Sequence, residues 1–199
     1  MTELTDFQEK IAALLPDVEL KFDEPLAKHT SLRIGGGAEV MAFPKNAEEL
    51  AEILKVSVLL DGSFAILGAG TNVLAPDEGV RGLVVCLKDC LEGIEPLPGN
   101  RLRVMAGVTM SRAAVAAANL GLSGLEFAHG IPGTVGGGVY MNAGAYGGEM
   151  KDVLQSVRYL TQDGDIVEAE AAALDLSYRH SIFEENGGCI LSATFHLKR

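Results

Sequence analysis

GIPGTVGGGVYMNAGAYGG, residues 130–148, holds eight of the chain's 24 glycines in 19 positions and carries no charged side chain. Each glycine inside a helix costs about 1 kcal/mol relative to alanine, so the run is not an ordinary helix. Nor is it a solvated linker, because Ile131, Val135, Val139, Tyr140, Met141 and Tyr146 are interleaved and Ser, Lys and Glu are missing. What remains is a buried or half-buried turn in which backbone approaches something closely and offers it N–H groups. Neutral backbone donors in a concave nest suit a polyphosphate. The alternative is a tight packing corner between two elements. A helix starting near Pro132 fits either reading.

A second glycine loop precedes it. Phe64–Leu67 is a four-residue apolar strand that runs directly into Gly68-Ala69-Gly70-Thr71-Asn72-Val73-Leu74. Strand ends of this kind are where α/β proteins hold ligands. The loop is not the dinucleotide fingerprint, because its third glycine position is Val73, and no Gly-Lys pair supplies a P-loop. A plain strand-to-strand turn stays open for this loop taken alone. Two uncharged glycine loops in one short chain strengthen the ligand reading.

The 199 residues suffice for one large domain or two small ones with a substantial core. Net charge is −11 without a Lys/Arg cluster, which argues against nucleic acid and anionic membrane surfaces. An anionic ligand must therefore be held by local donors against the overall field. No apolar run reaches the length of a membrane span, and the first ten residues are too acidic and polar for a signal peptide. Cys86, Cys90 and Cys189 read as buried reduced thiols in a cytoplasmic protein; no second pair or nearby His completes a metal site.

Elements follow from local signals. Thr5 and Gln8 have capping-box spacing ahead of a helix striped by Phe7, Ile11, Leu14 and Leu15 and stopped by Pro16. Val18–Phe22 and Ala38–Phe43 read as strands around an irregular Pro25–Gly37. Asn46 caps a helix carrying Leu50, Ile53, Leu54 and Leu60. Val80–Leu87, Ile94–Leu97 and Leu102–Ala106 are further strands, with a subdomain boundary near Cys86–Leu91. Thr109 starts a helix over Met110–Leu120. Val153–Thr161 and Asp165–Ala169 flank Asp163-Gly164 as a hairpin, and Cys189–Leu197 is the last strand.

Between hairpin and last strand lies Leu174–Ser181. Taken as extended, it puts Leu174, Leu176, Tyr178 and His180 on one face and Asp175, Ser177, Arg179 and Ser181 on the other. Arg179 then reads either as a fork for a carboxylate or phosphate or as a surface charge. His29, His129, His180 and His196 have no metal spacing, and Gly121-Leu122-Ser123-Gly124 breaks the nucleophile-elbow pattern.

HTSLRIGG (29–36), GAGTNVL (68–74), GIPGTVGGGVYMNAGAYGGE (130–149) and LSYRHSIF (176–183) occur in an order that resembles the UDP-N-acetylenolpyruvoylglucosamine reductases. These FAD enzymes make UDP-N-acetylmuramate for peptidoglycan, and hence serve cell-wall biogenesis and cell division. The likeness runs from about residue 20 to the end of the chain. It implies an α+β or α/β fold of the vanillyl-alcohol-oxidase type, with flavin-binding subdomains over residues 1–86 and 87–199 that clasp an extended FAD.

Carried onto this sequence, the resemblance implies a diphosphate on Gly68, Ala69, Gly70, Thr71, Asn72, Val73 and Leu74. It puts the flavin beside Ile131, Pro132, Gly133, Thr134, Gly136, Gly137, Asn142, Ala143 and Gly144, with Ile190 of the last strand as a further cofactor contact. NADPH is the implied hydride donor and a UDP-sugar enolpyruvyl ether the substrate. Arg179 is the implied catalytic residue, binding the enolpyruvyl carboxylate, and Tyr178 helps shape that pocket. A cytoplasmic monomer without metal is the implied setting. The family's third, substrate-binding domain, which supplies a proton-donating serine and an assisting glutamate, has no counterpart motif here, so the sequence reads as the flavin-binding portion of such an enzyme, able to bind FAD but not to complete the reaction unaided. A non-catalytic FAD module and another oxidase of the same flavin fold are the alternatives.

Overall fold

The capping box expected at Thr5 is present in the computed structural model, which describes residues 4–199. Thr5 Oγ1 accepts from the Gln8 N–H at 3.2 Å, and the Gln8 side chain accepts from the Thr5 N–H at 2.9 Å. Two of the orphan donors at the start of α1 (Asp6–Leu14) are thereby satisfied. Contacts divide the chain into two units, Met1–Cys90 and Leu91–Arg199.

In the first unit, β1 (Glu19–Pro25) runs antiparallel to β2 (Gly37–Phe43), with a 3-10 turn at Leu26–Lys28 in the irregular stretch between them. α2 (Ala47–Leu59) starts where Asn46 Oδ1 accepts from the Glu49 N–H at 2.8 Å. β3 (Phe64–Leu67) and β4 (Val80–Cys86) complete a sheet in the order β1-β2-β4-β3, with β4 parallel to both neighbours. A parallel strand between two others is covered on both faces, which is why β4 is apolar without alternation. Leu26, Met41, Leu67, Val84 and Cys86 pack together in this unit's core. The loop Gly68–Leu74 leaves the carboxyl end of β3.

The second unit is organised by a wholly antiparallel sheet. β5 (Ile94–Leu97) and β6 (Arg101–Met105) come first, followed by α3 (Met110–Asn119) and α4 (Val135–Tyr140). A small hairpin of β7 (Gly144–Ala145) and β8 (Gly148–Glu149) precedes β9 (Leu154–Leu160) and β10 (Ile166–Glu170). α5 (Phe183–Asn186) and β11 (Cys189–His196) end it, and the strand order is β10-β9-β11-β6-β5. β11 is central, and Cys189 through Phe195 are all buried. All three cysteines are buried.

Two expectations are corrected. The helix expected from near Pro132 does form, as α4 starting at Val135, and it passes straight through Gly136, Gly137 and Gly138, where the glycine count argued against one. Propensity loses to packing here. A Cβ on Gly136 would stand 2.9 Å from Ala106 Cβ, and one on Gly138 would stand 2.7 Å from Met110 Sδ and Met150 Cε. The helix exists because its bare backbone can press against the end of β6 and the start of α3, and it begins by hydrogen bonding there. Val135 N–H donates to the Val108 carbonyl at 2.8 Å and Gly136 N–H to Ala106 at 2.9 Å.

The second correction concerns Leu174–Ser181, which is not extended. Ser177 and His180 exchange backbone hydrogen bonds at 3.3 and 3.2 Å, so Tyr178 and Arg179 form the tip of a tight turn. Arg179 has φ +54°, which no strand residue adopts. The alternation that suggested two faces therefore sorts nothing.

Candidate functional site

In the first unit, Gly70 decides the shape of the glycine loop. It is buried with φ +62°, and a Cβ there would overlap the His29 carbonyl oxygen and lie 3.0 Å from Thr30 Cα. Its carbonyl accepts from the Ser31 N–H at 2.9 Å. The HTS segment is thus the wall on which the loop rests, and the two stretches quoted from the sequence are one local structure. The N–H groups of Ala69 and Gly70 make no backbone–backbone hydrogen bond among the described residues. Amides left open on a buried or half-buried turn call for a partner, and two consecutive ones fit an anion. Gly68, Ala69 and Thr71 are half-buried, whereas Asn72, Val73 and Leu74 are exposed. Behind the wall, His29 Nε2 lies 2.9 Å from Glu24 Oε1, and this contact holds the Glu24 carboxyl below its usual range.

In the second unit, Thr134 caps α4: its Oγ1 accepts from the Gly137 N–H at 3.3 Å. The N–H groups of Gly133 and Thr134 make no backbone–backbone hydrogen bond among the described residues, and Thr134 is buried. Pro132, Gly137 and Gly144 are exposed, while Ile131, Gly133, Gly136 and Ala143 are half-buried. This is a backbone surface with open donors, not a side-chain site. Ile190 lies within β11 at 6% exposure, in register with Tyr159 of β9.

Asn142 closes the run. It is 4% exposed with φ +41°, and its side chain is wholly engaged. Nδ2 donates to Glu149 Oε2 at 2.6 Å and to the Ser177 carbonyl at 3.0 Å, and Oδ1 accepts from the Lys151 N–H at 3.0 Å. Glu149 Oε1 in turn meets Lys151 Nζ at 2.7 Å. The Lys151 ammonium, helped by the Asn142 amide, holds the Glu149 carboxyl below its usual range, and Glu149 raises Lys151 reciprocally.

The Tyr178–Arg179 turn is therefore seated on the glycine run. Ser181, fully buried, adds a second tie by donating from Oγ to the Tyr140 carbonyl at 2.6 Å. At the tip, Tyr178 is 89% exposed and Arg179 is exposed. His180 is braced by Glu184 at 3.3 Å and Asp175 at 3.4 Å; these carboxylates, Glu184 first, raise its pKa.

The residues quoted for the cofactor in the second unit and those quoted for the substrate thus form one assembly. Sequence reading missed the two ties that make it so, Ser181 to Tyr140 and Asn142 to Ser177. A buried Asn inside an otherwise apolar, glycine-rich run was the available signal for the latter, since its amide has to find partners. Two surface hollows in this unit, of about 350 and 320 Å³, are lined by α3 with His129 and by β9 with His196. Residues 130–149 and 174–181 line neither of them. No cluster of three metal-ligating side chains occurs among the described residues, nor is any helix there long and apolar enough to cross a membrane.

Comparison with known proteins bears on this geometry. Residues 38–170 match the model of the FAD binding domain. UDP-N-acetylenolpyruvoylglucosamine reductase of Lactobacillus acidophilus is 46% identical over 181 residues, covering 91% of this chain and 60% of that protein. The chain spans about three fifths of the length of the curated relatives it matches. The crystal structure of UDP-N-acetylenolpyruvylglucosamine reductase from Thermus caldophilus superposes with a TM-score of 0.72 at 33% identity, over 92% of this chain and 62% of that one. Glucooligosaccharide oxidase from Acremonium strictum shares the fold alone, with a TM-score of 0.68 at 17% identity over 96% of this chain and 43% of its own. The fold class is the flavin-binding α/β architecture that the sequence resemblance implies, and the chain belongs to the family of FAD binding domains.

Proposed function

We propose that this chain is the flavin-binding part of an NADPH-using UDP-N-acetylenolpyruvoylglucosamine reductase, acting on the enolpyruvyl ether of UDP-N-acetylglucosamine. Identity of 46% to a protein of that name, across nine tenths of the chain, is the observation that carries the reading. The site supports it. Open amides at Ala69 and Gly70 suit a diphosphate, and those at Gly133 and Thr134 suit the polar edge of a flavin. FAD, when bound, supplies the hydride chemistry.

This chain's own residues would bind and orient. Arg179, at the tip of its turn, would take the enolpyruvyl carboxylate in its planar fork. Negative charge grows on the group conjugated to that carboxylate as hydride adds to the double bond. A fixed guanidinium therefore stabilises the transition state more than the ground state. Tyr178 would shape the pocket beside it. No side chain here is given the proton-donor role. The family resemblance implies a cytoplasmic monomer, and the net charge of −11 argues against nucleic acid and anionic membrane surfaces as partners.

Anaerobic mixing of the FAD-loaded chain with NADPH tests this. Bleaching of the flavin band is expected in the parent and equally in Arg179→Ala, because Arg179 serves the carboxylate and not the reductant. Binding of the enolpyruvyl UDP-sugar, followed by perturbation of the flavin spectrum, should weaken in Arg179→Ala by roughly 10–100-fold, the loss of one charge-assisted contact. A flavin that NADPH cannot bleach contradicts the reading. So does an Arg179→Ala variant that loses reduction by NADPH and substrate binding alike.

A further inference from the structure

We propose that Asn142 is a positioning residue that seats the Tyr178–Arg179 turn on the glycine-rich stretch, and is not a cofactor contact. The inference rests on the reading that Arg179 meets a carboxylate, but its geometry stands apart from that reading. A carboxamide has two N–H hydrogens, and both are taken, one by Glu149 Oε2 at 2.6 Å and one by the Ser177 carbonyl at 3.0 Å. Oδ1 receives the Lys151 N–H at 3.0 Å. The orientation of the amide follows from its surroundings: flipped, the oxygen would face a carboxylate and a carbonyl, and the NH₂ would face an N–H. With 4% of its surface exposed, Asn142 has no donor left to offer a flavin.

What those bonds hold is informative. Ser177 opens the turn, and its carbonyl accepts both from Asn142 and from the His180 N–H at 3.2 Å, filling both lone pairs. The far end of the turn is tied by Ser181 Oγ to the Tyr140 carbonyl at 2.6 Å. Both ends of the Arg179 turn are therefore fastened within residues 140–142, the stretch that links α4 to the β7–β8 hairpin. Arg179 sits at φ +54°, a conformation a free loop abandons readily, and these ties hold the residues on either side of the turn tip.

Site-resolved amide exchange by NMR on the full chain, with and without FAD, separates the possibilities. Asn142→Asp keeps an acceptor for the Lys151 N–H but sets a carboxylate against Glu149 and the Ser177 carbonyl. Lys151 should stay protected while Ser177 and His180 exchange at least about tenfold faster. Asn142→Ala should release all three amides. In both variants the amides of β9 and β11 should be unchanged and the FAD affinity should stay within about threefold. N142D/E149Q should regain part of the protection, because the carboxamide introduced at 149 can donate to the carboxylate introduced at 142.

Unchanged turn amides in Asn142→Asp overturn the proposal. FAD affinity lowered more than about tenfold with the turn intact also overturns it, in favour of a cofactor contact. Should a variant lose the sheet amides as well, exchange in the unmodified chain under mild denaturant decides. Opening of Lys151, Ser177 and His180 as one unit below global unfolding supports the clamp, and independent opening refutes it. A chain that binds no FAD would sink the functional reading and leave these exchange outcomes legible.

Discussion

Three successive glycines in α4 illustrate how one residue type serves different ends at neighbouring positions. A Cβ on Gly136 would meet Ala106 Cβ at 2.9 Å and the Ala106 carbonyl oxygen at 3.3 Å, both fixed to backbone, whereas one on Gly137 would find only Thr134 Oγ1 at 3.6 Å. Gly137→Ala is therefore expected to stabilise the protein by about 0.5–1 kcal/mol through helix propensity. Gly136→Ala should destabilise it by about 1–3 kcal/mol through overpacking against a neighbour that cannot give way. Urea denaturation of the two variants checks this, and like signs would refute it. Propensity alone assigns the two positions the same value; only the approach of Ala106 distinguishes them.

At the scale of elements, the caps were legible and the long-range supports were not. Thr5, Asn46 and Thr109 start their helices as their spacing predicts, because an N-cap needs only a side-chain oxygen and an amide three residues on. The Ser177–His180 turn was misread because alternation of polar and apolar residues is also what a braced turn produces. Its brace is electrostatic and has a pH signature. The folded-state pKa of His180 is raised above the ordinary 6.5 by Glu184 and then Asp175. A raised histidine contributes stability that is fully present below its unfolded value and is lost as pH rises through the folded value. Glu149 is lowered from 4.5 by Lys151, so its contribution is present above that value and is lost as pH falls through the folded one. Both are in place roughly between pH 4.5 and 6.5, where this turn and its seat are best held. The stability difference between the parent and His180→Gln should shrink as pH is raised from about 6 to about 9, measured by urea unfolding at each pH. A difference independent of pH would show that His180 acts by packing alone.

For the whole molecule, the order of four motifs carried the family, and the proposed use of backbone amides as cofactor donors accounts for two of them, 68–74 and 130–148, being rich in glycine and free of charge. A chain at net charge −11 that binds a dianionic linkage needs donors that act at contact range, and peptide N–H groups meet that need without adding cations. Arg179, proposed above to take the enolpyruvyl carboxylate, is a side chain whose role no local pattern supplies. The residues that tie its turn, at 140–142, lie 35 to 41 positions from Ser177 and Ser181 in sequence. Calorimetric titration of the chain with FAD, FMN and riboflavin, repeated on Ala69→Glu, tests the central assignment most directly. FAD should bind one to one and at least about tenfold more tightly than FMN or riboflavin, and Ala69→Glu should lose that preference by bringing a carboxylate to the diphosphate donors while the fold is retained. Equal affinity for FAD and riboflavin, or undiminished FAD binding by Ala69→Glu, would contradict the assignment of the Gly68–Leu74 loop to the cofactor diphosphate.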